Sequence, residues 1–117
     1  MKNIKTLTIL CLILFVPAIG LSEVRKFYYE SGELKEEASY KKGKQAGLTK
    51  TYYESGALRW KANYKESKQE GLSKTYYVGG EMFCVDTYKD DQQIKRKIYD
   101  NKGKLKYEQD FPYMEVN

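Results

Sequence analysis

The chain offers little to a catalyst. None of its 117 residues is His, which removes the commonest general base, the commonest metal ligand and the usual partner of a nucleophilic Ser or Cys. The two Cys are Cys11 and Cys84. Cys11 lies in an apolar N-terminal run, so Cys84 stands as a single thiol with no base to activate it and no internal disulfide partner. It reads as a small buried hydrophobe, the other reading being a pairing thiol at a dimer contact. Asp86, Asp90 and Asp91 form an acidic cluster, but their spacing lacks the alternating oxygen ligands and the Gly of a calcium loop. A solvated turn is expected there, and no metal. No Gly-rich loop is placed to cradle phosphate, because a turn or a strand start accounts for every Gly. No two carboxylates stand out as a glycosidase pair. The expectation is a chain that is not an enzyme, with no catalytic residue, no cofactor and no evident small-molecule substrate.

Tyr is the residue type that remains. There are twelve, beside four Phe and one Trp. Tyr28-Tyr29-Glu30-Ser31-Gly32 recurs as Tyr52-Tyr53-Glu54-Ser55-Gly56, and again in degraded form as Tyr76-Tyr77-Val78-Gly79-Gly80, both times after 24 residues. A fourth copy reads Ile98-Tyr99-Asp100-Asn101-Lys102-Gly103, as if two residues were missing before it and one were added in its turn. Six residues after Leu34, Leu58, Met82 and Leu105 come Tyr40, Tyr64, Tyr88 and Phe111. Gly47-Leu48 and Gly71-Leu72 hold equivalent places. A fixed period of this length marks a repeat array.

Each unit reads as a β-hairpin. Residues 47–53 are rich in Thr and Tyr, which favour strands. Glu54-Ser55-Gly56 is a three-residue loop with Gly at the left-handed position, and Gly32, Gly80 and Gly103 are its counterparts. Ala57 to Lys65 returns, and Glu66 to Glu70 is a longer polar loop. With this turn Tyr53 opposes Ala57 and Tyr52 opposes Leu58. Strict alternation then puts Leu48, Lys50, Tyr52, Leu58, Trp60, Ala62 and Tyr64 on one face. The other face carries Thr49, Thr51, Tyr53, Arg59, Lys61 and Asn63. The structural core is expected to be Tyr28, Leu34, Tyr40, Leu48, Tyr52, Leu58, Trp60 and Tyr64, continued by Tyr76, Met82, Tyr88, Ile98, Leu105 and Phe111.

One hairpin cannot offset the entropy of ordering itself, ~1–2 kcal/mol per residue; stacking units edge to edge gives a continuous stripe and ladder. The fold class expected is therefore all-β, an elongated antiparallel meander of tandem hairpins with seven or eight strands over residues 25 to about 111. Repeats fall at about 25–48, 49–72, 73–94 and 95–111, with a C-terminal cap at 112–117 in which Pro112 blocks further pairing.

An N-terminal signal helix is expected to precede the array. Residues 1–22 combine basic Lys2 and Lys5, an apolar run from Thr6 to Val16, Pro17, and small residues at Ala18, Gly20 and Ser22. Cleavage near Gly20 to Ser22 would leave a repeat domain of residues 23–117, exported to the periplasm, envelope or exterior; an uncleaved anchor is the other reading. Nothing before Cys11 resembles a lipobox. Export would lower the formal charge from +5 to +3, with 19 basic and 16 acidic residues. Lys and Glu alternate closely, so a solvated mixed surface is expected and no nucleic acid.

The unit Tyr-Tyr-Glu-Ser-Gly-x-Leu, then Tyr-Lys, then Gly-Leu and back to Tyr-Tyr, resembles the variant MORN repeat of bacteria and the proteins labelled YwqK-type antitoxins. The resemblance covers residues 25–111. It implies this fold, contact with proteins or membrane lipids, and for the antitoxin label neutralisation of a partner toxin. The export signal departs from a cytoplasmic antitoxin. A protein partner, as scaffold or immunity factor, is the first expectation; an anionic membrane lipid or envelope polysaccharide is the second. The second-Tyr column, Tyr29, Tyr53, Tyr77 and Tyr99, is the candidate binding row, unless these rings pack across strands. Phe83 and Val85, apolar where other units are charged, add an exposed patch, unless the tail at Tyr113-Met114 covers them.

Overall fold

The computed structural model describes residues 21–117; residues 1–20 of the expected signal segment, Cys11 among them, lie outside these, and Ser22, placed in that segment, is instead the first residue of a strand. The described chain is one antiparallel sheet of nine strands with no helix. In chain order they are β1 (Ser22–Tyr28), β2 (Leu34–Lys41), β3 (Lys44–Tyr52), β4 (Leu58–Lys65), β5 (Lys68–Gln69), β6 (Gly71–Tyr76), β7 (Met82–Lys89), β8 (Gln92–Tyr99) and β9 (Leu105–Asp110). Strands neighbour one another in sequence order, except that the short β5 pairs β4 beside β6. The expected meander is therefore present.

Two kinds of turn alternate along it. At one edge Tyr53 N–H donates to the Ala57 carbonyl and Gly56 N–H to the Tyr53 carbonyl, both at 2.9 Å. Gly56 sits at φ 89°, where a Cβ would meet no atom within 4 Å, so Gly is required by backbone conformation rather than by space. At the other edge the expected long loop is a two-residue turn. Lys42-Gly43, Glu66-Ser67 and Asp90-Asp91 each have both φ values positive, the mirror-image turn that matches strand twist. Two of these three turns contain no Gly.

The register corrects the expected faces. Tyr52 does oppose Leu58, but Thr51 opposes Trp60, leaving Arg59 as an extra residue. The same β-bulge recurs in the other three hairpins. One extra residue exchanges the faces of everything beyond it. Leu48, Lys50, Tyr52 and Leu58 thus share a face with Lys61 and Asn63, whereas Trp60, Ala62 and Tyr64 share the opposite face with Thr49 and Thr51.

The core is correspondingly smaller than expected. The darkest residues are short: Ala38, Thr49 and Ala62, at 0%, 2% and 1% exposure, oppose one another across β2, β3 and β4. Ser73, Cys84, Asp86 and Gln69 are also buried. Of the expected core, Tyr28, Leu48 and Leu105 are exposed, at 59%, 37% and 43%; the remainder is half-buried. With one layer of sheet and no second layer over it among the described residues, the side chains most fully shielded from water are ones shorter than their neighbours.

The fourth unit also needs realignment. Tyr99 opposes Leu105 as Tyr52 opposes Leu58, and Ile98 opposes Tyr107 as Thr51 opposes Trp60. Tyr99 is therefore a first-Tyr residue and Asp100 takes the second-Tyr place. Its turn has the usual length, with Asp100 N–H donating to Lys104 and Gly103 N–H to Asp100. The shortening lies in the strand. The segments from Gln45 to Thr49 and from Gln69 to Ser73 bulge around Gly47 and Gly71, at φ 93° and 81°. The segment from Gln93 to Arg96 is one residue shorter and has no Gly.

Candidate functional site

The second-Tyr column is placed between units. Tyr29 donates its phenol to the Tyr52 carbonyl at 2.5 Å, Tyr53 to the Tyr76 carbonyl at 2.7 Å and Tyr77 to the Tyr99 carbonyl at 3.0 Å. Each hydroxyl thus staples its unit to the first Tyr of the next. The rings are half-buried. In the fourth unit Asp100 holds this place and supplies no phenol.

In the first three units the bulge residue lies over this ring. Lys35 Nζ stands 5.5 Å from the Tyr29 centroid and the Arg59 guanidinium 5.8 Å from that of Tyr53. In the third unit the cation is replaced by Phe83, whose ring meets Tyr77 at 5.1 Å and 59°. Val78, exposed in the turn beside Tyr77, replaces the Glu of the first two units. Tyr77, Val78 and Phe83 therefore form a local apolar break in a rail of tyrosines capped by cations. A shallow hollow on the rail's inner side is lined by Tyr29, Lys35, Thr51, Arg59, Trp60 and Thr75, among others. Trp60 Nε1–H donates to Ser73 Oγ at 2.7 Å.

Val85 belongs elsewhere. It opposes Lys74 and Lys97, in the cross-strand row that also holds Lys50 and Lys61. The tail does not run to either apolar residue. Tyr113 donates to Asp90 at 2.7 Å with Lys89 over its ring, and Met114 exchanges two hydrogen bonds with the Gln92 side chain.

Two constellations escaped the sequence reading. In the first, Lys50, Lys61 and Lys74 oppose one another on β3, β4 and β6. Like charges directly opposite are unfavourable. Leu48 and Leu72, both exposed, stand beside them around one hollow with Lys61 and Lys74. Its signal was the shared basic position in successive strands, hidden by the assumed unbroken alternation. The second is a correction to the expected solvated acidic turn. Asp90 and Asp91 do form a turn, but Asp86 is buried and bound in bidentate fashion to Arg96, at 2.8 and 3.0 Å, with Gln93 donating to it at 2.8 Å. Hydrogen bonding to Asp86 holds the Arg96 guanidinium firmly protonated. Cys84 is buried as expected; burial first, then the nearby Asp86 charge, pushes its thiol pKa up. No group of three or more metal-ligating side chains occurs among the described residues.

No curated protein sequence matches the chain. Among solved structures, a chain from "Crystal structure of accessory secretory protein 1,2 and 3 in Streptococcus pneumoniae" is similar at 11% identity and a TM-score of 0.48, covering 74% of this chain and 17% of that one. The family described as MORN repeat variant matches residues 24–42, 45–66 and 92–111, passing over most of the third unit, where Phe83 and Asp86 depart from the pattern. Matched over more than half its length by the same hairpin unit that builds its sheet, the chain belongs to the family of variant MORN repeats.

Proposed function

We propose that this chain is an exported, non-catalytic module that holds a protein partner on its tyrosine rail, as a scaffold or in an immunity-like role. MORN repeats are in general binding modules, which supports the broad class. The observation that carries the finer reading is the break at the third unit. Val78 and Phe83 stand where Glu54 and Arg59 stand in the second unit, so the rail changes from charged to apolar around Tyr77. Half-buried aromatics with short reach from the backbone lose little entropy on contact and serve as anchors. Tyr53 and Trp60 extend the surface toward the second unit; Tyr29 lies at its far end.

The test uses substitutions that the fold already accepts. Phe83→Arg and Val78→Glu recreate the second unit's own residues, so stability should be kept. A partner captured from envelope extract by the parent chain should be recovered at least tenfold less by the double variant. Equal recovery would exclude the rail.

The lysine row supports a second reading, binding to anionic lipid or envelope polysaccharide. Three opposed lysines repel one another less when an anionic surface faces them. Sedimentation with anionic vesicles that falls with salt, and falls again in the Lys50→Glu, Lys61→Glu, Lys74→Glu variant, would select it. Sedimentation indifferent to both changes would remove it.

A further inference from the structure

The sheet is open at both ends: the expected cap at 112–117 binds Asp90 and Gln92 through Tyr113 and Met114 and leaves the free side of β9 uncovered. Among the described residues β1 pairs only with β2, and β9 only with β8. Every residue of β1 and of β9 is exposed, including Val24, Phe27 and Tyr107. Long exposed edges carrying apolar side chains are templates for another strand.

The array's own pattern says which strand. A return strand of one unit is followed across the sheet by the outgoing strand of the next: β2 by β3, β4 by β6, β7 by β8. β9 is a return strand and β1 an outgoing one, so β1 of a second copy would continue the alternation beside β9. The register of the internal joints carries over. Val85 opposes Lys97 and Cys84 opposes Ile98; Glu37 opposes Lys50 and Glu36 opposes Thr51. Equivalent places on the free edges are Glu108 with Lys26 and Tyr107 with Phe27. The joint would therefore bring an acid to a base and an aromatic ring to an aromatic ring. Inside each chain Glu108 lies 3.9 Å from Lys97, and Lys26 lies 3.8 Å from Glu37. Joining the edges makes one row of alternating charge, Lys97–Glu108–Lys26–Glu37, across the boundary.

The backbone is also oriented for it. Phe111 N–H donates back to Ile94, so alternation turns the Asp110 and Glu108 amides toward the free edge. Tyr29 N–H donates to Glu33, which turns the Tyr28 and Lys26 amides outward from β1. Glu108 and Lys26 thus present both their side chains and their unpaired amides to the joint.

We infer that this chain assembles head to tail with a second copy of itself, β9 of one pairing with β1 of the next. Such a contact is heterologous and extends into an open series or a ring. It is weaker than an internal joint, because Asp100 stands where a Tyr would otherwise staple the next unit.

Sedimentation velocity of the purified protein over a concentration series tests this with two edge variants. Pro is tolerated where an edge amide faces solvent but stops a further strand. Lys26→Pro closes the head and Glu108→Pro closes the tail. The parent protein should show dimers and larger species that increase with concentration and decrease with salt. Each variant alone should sediment as a monomer, with far-UV circular dichroism like the parent's. An equimolar mixture should form a species of twice the monomer mass and nothing larger, since one free tail meets one free head. A monomeric parent, dimers of either variant alone, or a mixture that stays monomeric would each overturn the proposal; dimers of Lys26→Pro alone would point to a symmetric tail-to-tail contact.

Discussion

The joint between the first and second units and the joint between the third and fourth are built on the same ladder and filled differently. In the first, Ala38 opposes Thr49, two short side chains that leave nothing charged in the dark. In the last, Asp86 opposes Arg96, a bidentate pair whose acid is buried. The first joint accommodates the bulge at Gly47; the last has one residue fewer and does without the Gly. The early joint depends on fit and tolerates change at its rim. The late joint depends on a charge whose partner must be present, because an unpaired buried carboxylate is far costlier than a missing methyl group. Its Asp86 lies in the stretch that the family match passes over, and its Arg96 in a matched repeat.

The largest effect should come from splitting that pair. Arg96→Thr leaves the buried Asp86 carboxylate without its cation and should lower stability by about 3 kcal/mol, the low end for such pairs because Gln93 still donates to it. Adding Asp86→Ala recreates the Ala–Thr pair of the first joint. Denaturant unfolding of the double variant should return to within about 1 kcal/mol of the parent. A double variant as unstable as the single one would mean that the last joint cannot be converted into the first.

A smaller effect is expected at the staples. Tyr53→Phe keeps the ring and its Arg59 contact but loses the hydroxyl bond to Tyr76. The cost should be about 1 kcal/mol in thermal or denaturant unfolding. An unchanged midpoint would show that the phenol is free for a partner after all, which strengthens a binding role for that column.

The smallest effect concerns the last unit, where Asp100 replaces the stapling Tyr. Its carboxylate accepts the amides of Lys104 and Lys102, both at 2.9 Å, and these, with Lys106 nearby, hold its pKa below the usual aspartate value. A depressed folded pKa means the contribution is complete above the unfolded value, about 4, and is lost as pH falls through the lowered one. Protection of the Lys102 and Lys104 amides from exchange should therefore fall in acid, and Asp100→Asn should remove that dependence. Exchange independent of pH in this sense, after correction for intrinsic rates, would show that the turn does not rely on the carboxylate.

These joints show how much could be read in advance. The Tyr-Tyr-Glu-Ser-Gly copies were legible, because turn chemistry is local: a left-handed position next to a strand asks for Gly wherever the strand goes. The pairing of Tyr52 with Leu58 followed from that turn alone. The faces did not follow. Arg59 looks like an ordinary outward residue in an alternating strand, and nothing in its type announces that it is the extra residue of a bulge.

By itself, then, the sequence determined a repeating hairpin, its period, its turn glycines and the order of its strands. The tertiary structure decided which side of the sheet each residue occupies, that Tyr99 is a first Tyr and Asp100 a second, and that Lys50, Lys61 and Lys74 form one row. It also decided that Asp86 closes on Arg96. The reason is parity. A strand's two faces are defined by counting, a single inserted residue inverts the count, and whether it inserts depends on how the neighbouring strand pairs rather than on the residue itself.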